Sequence, residues 1–307
     1  ARDMLSKNFN SIIDIVNAFP TEQSCIDHLE FLRWNGNVVS PFDATSKVYK
    51  CKGNKYRCKN TGKYFNVRTA TLFDNTKVEL RKWFVAIWIV TSHKKGISSL
   101  QLGRDIDVTQ KTAWFMLQRI RKCFGCENNS ELNNEVEMDE TYIGGKNKNR
   151  HANKKIENSQ GRSVKDKTPI FGMVERKGKI VARKIENTSV GNITPEVVKT
   201  VKNAMVYTDE WVGYKQVSRI YDHLFVKHNE GEYVNGRVHT NTIEGFWSIL
   251  KRGIVGIYHF TSRKHIQKYV DEFVFRYNTR NSGEHQRFNL FLQNTEHRLT
   301  YNELINE

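Results

Sequence analysis

The sequence predicts an α/β chain in which the larger domain follows a small ribbon-like β module and a helix-turn-helix region. Three observations carry this. Residues 35–75 break short Val-, Tyr- and Phe-containing runs with turn residues, the pattern of a small antiparallel sheet. Residues 77–124 read as helical throughout, and the half beyond residue 136 alternates strand-like and helix-like segments.

At 307 residues the chain is long enough for about two domains and a sizeable core. Hydrophobic residues at 38%, with 4 Pro against 19 Gly, exclude wholesale disorder and collagen-like structure. The formal charge of +16 favours a polyanionic partner, held through phosphate contacts. Five cysteines, an odd number, do not form a secreted disulfide framework and point to reduced thiols inside a cell. The longest apolar run, "WFVAIWIV" at 83–90, is too short to span a bilayer, and "ARDMLSKNFN" lacks the apolar stretch of a secretory signal.

The first segment, 1–75, opens on helix. Ile13, Val16 and Phe19, then Ile26, Leu29 and Leu32, recur at three-residue steps on either side of a break at Pro20. The β module follows. Structural zinc needs a closed shell of four ligands, and Cys51 and Cys58 stand seven apart without a second close pair, so no zinc site is expected. Cys123 and Cys126 form a single Cys-x-x-Cys, a weak signal by itself.

Residues 76–126 form the helix-turn-helix region. One helix carries Leu100, Leu102 and Ile106; the next has Ala113, Met116, Leu117 and Ile120 inward, with Gln110, Lys111, Gln118, Arg119 and Arg121 polar. In such a pair the second helix enters the major groove, which assigns Gln110, Lys111 and Thr109 to base edges and makes Arg119 a DNA contact.

Residues 127–135, "ENNSELNNE", read as a linker to a domain at 136–283, with 284–307 as a C-terminal helix and tail. "VEMDETYIGG" gives the first strand and "TPIFGMVERKGKIVARKIE" a hairpin turning at 177–179. Thr194 and Pro195 open a helix, "AMVYTDE" is a strand, "GYKQVSRI" a short helix and "HLFVKH" a strand. Three strands, helix, strand, helix, strand is the organisation of a ribonuclease H-like domain. Between the first two strands, 146–167 carries eight basic residues, among them Lys146, Lys148, Arg150, Lys154 and Lys155, and reads as an insertion that orders on phosphates.

Asp139 and Asp209 are read at the ends of the first and fourth strands. Glu244 lies in "HTNTIEGFWSILKRG", where Ile243, Trp247 and Leu250 set an apolar face and Glu244, Ser248 and Lys251 share a second one. Three converging carboxylates repel one another, and two Mg²⁺ ions, with Mn²⁺ as a substitute, would neutralise them. Asp139 is the expected bridging ligand, and Lys251 and Arg252 face phosphate. Strand alternation puts Glu140 on the face opposite Asp139 and so excludes it.

The blocks "MDETYIGGK", "VYTDEWVGY", "HTNTIEGFWSILKRG" and "DEFVFRYNTR" resemble the Merlin-type DDE transposases and their bacterial insertion-sequence relatives, which carry an ISXO2-like transposase domain. "KGISSLQLGRDIDVTQKTAWFMLQRIR" resembles their helix-turn-helix region. The resemblance implies a retroviral integrase-type catalytic fold acting as a multimer, at least a dimer, on double-stranded DNA: terminal inverted repeats and a target. It places the triad on Asp139, Asp209 and Glu244, with Asn241 as the residue that would stand third where relatives use Asn. Relatives have a zinc ribbon with two cysteine pairs, whereas the matching stretches here are "SPFD" at 40–43 and "CKNT" at 58–61. A ribbon-like fold without a conventional zinc site is therefore expected.

In "SRKHIQKYVDEFVFRYNTR", Ile266, Tyr269, Val270, Phe273, Val274 and Tyr277 set an inward helix face, leaving Lys264, Lys268, Arg276 and Arg280 for DNA. The expected function is metal-dependent cleavage and strand transfer in the nucleoid or cytoplasm of a bacterium, or the nucleus of a eukaryote. A structure-directed nuclease and a domesticated non-catalytic DNA-binding protein are the alternatives.

Overall fold

Proline and a capping pair shape the first elements of the protein. In the computed structural model, which describes residues 9–144, 151–157, 163–209, 212–226 and 239–306, helices α1 (Ile12–Ala18) and α2 (Glu22–Trp34) flank Pro20. Thr21 and Ser24 form a capping box at the start of α2, satisfying two amides that the helix cannot. Ile15 and Phe19 point inward, but Ile13 is 72% exposed, so the apolar stripe read for this segment is shifted by a residue or two.

Strands β1 (Val48–Cys51), β2 (Lys55–Cys58) and β3 (Tyr64–Phe65) make an antiparallel sheet in the order β1-β2-β3. Its inner face packs Tyr56 and Phe65 against Trp34. Hydrogen bonds join the loops where relatives are expected to carry cysteine pairs: Asn60 Nδ2 donates to Asp43 Oδ2 at 2.8 Å, and the Asn60 amide to Ser46 Oγ at 3.0 Å. Burial pushes the Cys58 thiol up, but hydrogen bonds from Ser40, Ser46 and Thr61 outweigh it and hold the thiol down to about 6.

Helices α3 (Leu80–Ser92), α4 (Ser99–Asp105) and α5 (Gln110–Phe124) follow. The α4–α5 turn is tight: Asp107 is left-handed at φ 51°, and a Cβ on Gly103 would meet the Val108 carbonyl at 2.9 Å. Ala113, Met116, Leu117 and Ile120 face the core as expected. Leu100 does not and stands 53% exposed. The polar face of α5 needs a larger correction, because Gln118, Arg119 and Arg121 are all buried. Arg119 donates to the carbonyls of Leu299 and Asp74 at 2.9 and 2.8 Å, tying two distant segments to α5 rather than facing a groove.

The linker expected at 127–135 is structured: a 3₁₀ turn at Gly125–Asn129 leads into β4 (Leu132–Ile143), a 12-residue strand. β5 (Thr168–Glu175) and β6 (Ile180–Lys184) turn at Lys177, which is left-handed at φ 61°. Helix α6 (Val190–Thr200) follows Ser189 and carries Pro195 inside it, so it starts a turn earlier than Thr194 and Pro195 implied. Then come β7 (Val201–Asp209), α7 (Val217–Ile220) and β8 (Asp222–Val226). The sheet order is β6-β5-β4-β7-β8, antiparallel among β6, β5 and β4 and parallel from β4 through β7 to β8.

One sheet face packs Ile170 and Val174 against α8 (Asn241–Gly253) and α9 (Ile266–Asn278) through Ile243, Phe246, Trp247, Val270 and Phe273. The other packs Val136, Met138, Phe171 and Met173 on Ile193 and Val197 of α6. This is an α/β architecture with a mixed five-stranded sheet. Lys268 and Arg276, read as DNA contacts, are buried on α9, and Arg276 pairs with Glu272.

Two compact units result, 1–124 with 281–307, and 125–280. The segment expected as a separate tail, with α10 (Glu284–Gln293) and α11 (Tyr301–Asn306), belongs to the first. There His28 is fully buried against Phe19, with Asn289 Oδ1 2.9 Å from its Nε2. Burial lowers its pKa, against the Asn289 hydrogen bond. The unfolded chain takes up this proton below about 6.5 while the folded one resists, so acidification favours unfolding. Urea unfolding between pH 7.5 and 5.5 is expected to show a loss of stability that is smaller in His28→Leu.

Candidate active site

Strand pairing assembles the acidic centre. β4 runs parallel to β7 with Glu137 opposite Tyr207, and the same register two residues on sets Asp139 beside Asp209. Asp209 is the last residue of its strand, as expected, whereas Asp139 is the eighth residue of β4 and not at its end. One carboxylate oxygen from each of Asp139, Glu140 and Asp209 gathers so that all three lie within 4.8 Å of one another. The exclusion of Glu140 on strand alternation is therefore corrected: an oxygen of its side chain also reaches the cluster. Glu140 is mostly buried and accepts a hydrogen bond from Tyr214 Oη at 2.9 Å.

Asp139 bears the cost of this grouping. Burial, and then the charges of Glu140 and Asp209, push its carboxyl up to about 7, against a 3.0 Å hydrogen bond from Trp247 Nε1 on α8 and one from the Glu140 amide. Burial and the same carboxylates hold the Tyr214 hydroxyl well above its ordinary range. Trp247 fits because β5 places Gly172 opposite Asp139; a Cβ there would come within 2.6 Å of the indole ring.

A residue that sequence reasoning set aside holds α8 in place. Glu137, fully buried and two residues before Asp139, accepts from the amides of Thr242 and Ile243 at 2.8 and 3.1 Å and from Thr242 Oγ1 at 2.9 Å. Its carboxylate thus satisfies amides that the first turn of α8 leaves open and lies at the positive end of the helix dipole. Arg176 Nε completes the arrangement at 2.8 Å, its guanidinium resting 4.1 Å from the Tyr207 ring centroid. The signal lay in the alternation, since 137 and 139 share a strand face.

The remaining expected residues are placed as follows. Glu244 is exposed in the first turn of α8, accepts from Thr240 Oγ1 at 2.9 Å, and is not in the acidic group. Asn241, Lys251 and Arg252 are exposed on the same helix. Gln110 and Lys111 are exposed at the start of α5, where Gln110 Nε2 donates to Ser99 Oγ and the Lys111 ammonium sits 5.7 Å from the Tyr301 ring. Thr109 caps that helix through its hydroxyl, which accepts from the Thr112 amide. Lys155 is exposed beside a single 3₁₀ turn at Ala152–Lys154. Lys146, Lys148, Arg150 and the Lys154 side chain lie outside the described residues.

Clustered carboxylates on a mixed sheet, one of them with a raised pKa, make this the candidate active site. Residues 131–278 match the ISXO2-like transposase domain. A protein of Halobacterium salinarum described as an uncharacterized protein in transposable element ISH50 is 28% identical over 253 residues, covering 77% of this chain and 84% of its own. The solved structure of a pre-cleavage Mos1 transpososome aligns over 97% of this chain and 99% of its own at 11% identity, with a TM-score of 0.23. Among the described residues, no helix is long and apolar enough to cross a membrane.

Removing Glu137 tests the anchor. Glu137→Ala leaves Arg176 without its buried partner and the α8 amides unsatisfied, so a loss of about 3–5 kcal/mol is expected in denaturant unfolding monitored by tryptophan fluorescence.

Proposed function

We propose that the protein is a DNA transposase that binds terminal inverted repeats and catalyses metal-dependent strand cleavage and strand transfer. The observation that carries the reading is the convergence of the Asp139 and Asp209 carboxylates from adjacent parallel strands, within the stretch that matches the ISXO2-like transposase domain. The sheet order, antiparallel then parallel with helices on both faces, supports a ribonuclease H-like fold of the retroviral integrase type.

The donors fit a hard divalent cation. Oxygens of Asp139, Asp209 and Glu140 converge, and burial, then the charges of Glu140 and Asp209 that a cation would offset, raise the Asp139 carboxyl. Asp139 and Asp209 would hold Mg²⁺, or Mn²⁺, with Glu244 as third ligand. Bound there, two ions supply Lewis-acid stabilisation of the attacking and leaving oxygens.

The chain's own residues do the rest. Glu137 and Trp247 fix α8 against β4, so that Asp139 is held at a defined rotamer. Glu244, three residues ahead of Trp247 on an exposed turn, can turn toward the strand-borne pair, whereas Glu140 is tied inward to Tyr214. Lys251 and Arg252 contact the phosphate backbone, Asn241 orients the helix N-terminus, and Gln110 and Lys111 read the end sequence. In the first reaction water forms a bond to phosphorus and the bridging oxygen leaves as a 3′-hydroxyl; in the second that hydroxyl attacks a target phosphate and displaces the next bridging oxygen. Both ends must be held together, which requires at least a dimer.

Purified protein incubated with terminal-repeat duplex, plasmid target and Mg²⁺ is expected to give nicked, excised and joined products that chelator abolishes. Asp139→Asn or Asp209→Asn should reduce cleavage by more than about a thousandfold while retaining end binding. Glu244→Gln should do the same and Glu140→Gln should not; the reverse would move the third ligand to Glu140. Specific binding without any strand breakage would overturn the catalytic reading.

A further inference from the structure

The ribbon module carries a surface that the cleavage chemistry does not use. Between Asp43 and Asp74 the sequence has eight Lys or Arg residues and no acidic residue. Apart from Arg68, which pairs with Glu22, none of them makes an ion pair with a described residue. Strand register turns this composition into a surface. Tyr49 lies opposite Arg57, and Arg57 opposite Tyr64, so the three side chains stand in one row across β1, β2 and β3.

That row faces solvent. Tyr49 is 43% and Tyr64 60% exposed, on the side of the sheet away from the buried Tyr56 and Phe65. Cations already rest on the rings: the Arg57 guanidinium lies 5.8 Å from the Tyr64 centroid and the Lys47 ammonium 5.5 Å from that of Tyr49. Lys55, on the same face two residues before Arg57, extends the charge. An exposed aromatic normally costs solubility, and a sheet face of tyrosines spaced by an arginine offers π-faces about 10 Å apart within a positive field.

We infer that this face binds single-stranded DNA, with bases stacked on Tyr49 and Tyr64 and the backbone drawn along Arg57, Lys47 and Lys55. Flat rings standing on an open sheet suit unpaired bases, whose faces a duplex keeps stacked, while the lysines suit phosphate. The choice of DNA over RNA rests on the function proposed above; the single-strand preference rests on the row alone. The expected ligand is a strand freed or frayed at a cleaved end.

The test uses the full-length protein with chelator present, so that no strand is cut, and fluorescence anisotropy with a labelled oligonucleotide of about 20 nucleotides, its duplex, and the RNA of the same sequence. Tyr49→Ala/Tyr64→Ala is expected to weaken single-strand binding at least about tenfold and leave duplex affinity within about twofold. Tyr49→Phe/Tyr64→Phe, which keeps the rings, should restore it, and Arg57→Ala should flatten its salt dependence. Unchanged single-strand affinity in the double alanine variant, or an equal loss on duplex, would overturn the inference. Tighter binding to RNA would overturn the assignment to DNA. Neither result bears on cleavage at Asp139 and Asp209, which the chelated assay does not measure.

Discussion

Mutual repulsion among Asp139, Glu140 and Asp209 is the constraint around which the second unit is built. Three carboxylate oxygens within 4.8 Å would disperse or protonate in water. Here the parallel pairing of β4 with β7 fixes the backbones of Asp139 and Asp209, and burial, then the charges of Glu140 and Asp209, push the Asp139 carboxyl up to about 7. A fold that holds such a group together spends stability on a charge arrangement that a cation would relieve.

The support for that arrangement comes from the face of β4 that packs on α8. Glu137 binds the helix N-terminus, Trp247 returns from the helix to Asp139, and Gly172 leaves room for the indole. Strand, helix and neighbouring strand are thus joined at residues two apart on β4. The same helix presents Glu244, Lys251 and Arg252 to solvent, so fixing α8 on Glu137 also fixes where those groups stand.

Much of this was legible in the sequence because it follows from periodicity. The alternation of strands and helices, the inward stripe of α5, the hairpin at Lys177 and the placement of Asp209 at a strand end depend on local pattern, and the structure has them. What was not legible depends on long-range partners. Arg119 looks like a surface cation until the Leu299 and Asp74 carbonyls are brought to it. Glu140 looks excluded by alternation, yet one of its oxygens joins those of Asp139 and Asp209. The stretch 127–135 looks like a linker because Asn and Glu dominate it, yet Leu132 is fully buried and starts the central strand. Alternation puts Glu137 on the face of Asp139, but the helix end that it binds, at Thr242 and Ile243, lies about a hundred residues further along the chain.

The central claim is that Asp139 and Asp209 jointly hold a divalent cation. Anomalous diffraction from crystals of the protein grown with Mn²⁺ and end DNA tests it most directly. The account predicts a manganese peak bonded to oxygens of both aspartates, with Glu244 turned in from α8 to the same centre. Manganese bound elsewhere, or no peak between Asp139 and Asp209 at saturating Mn²⁺, would contradict it.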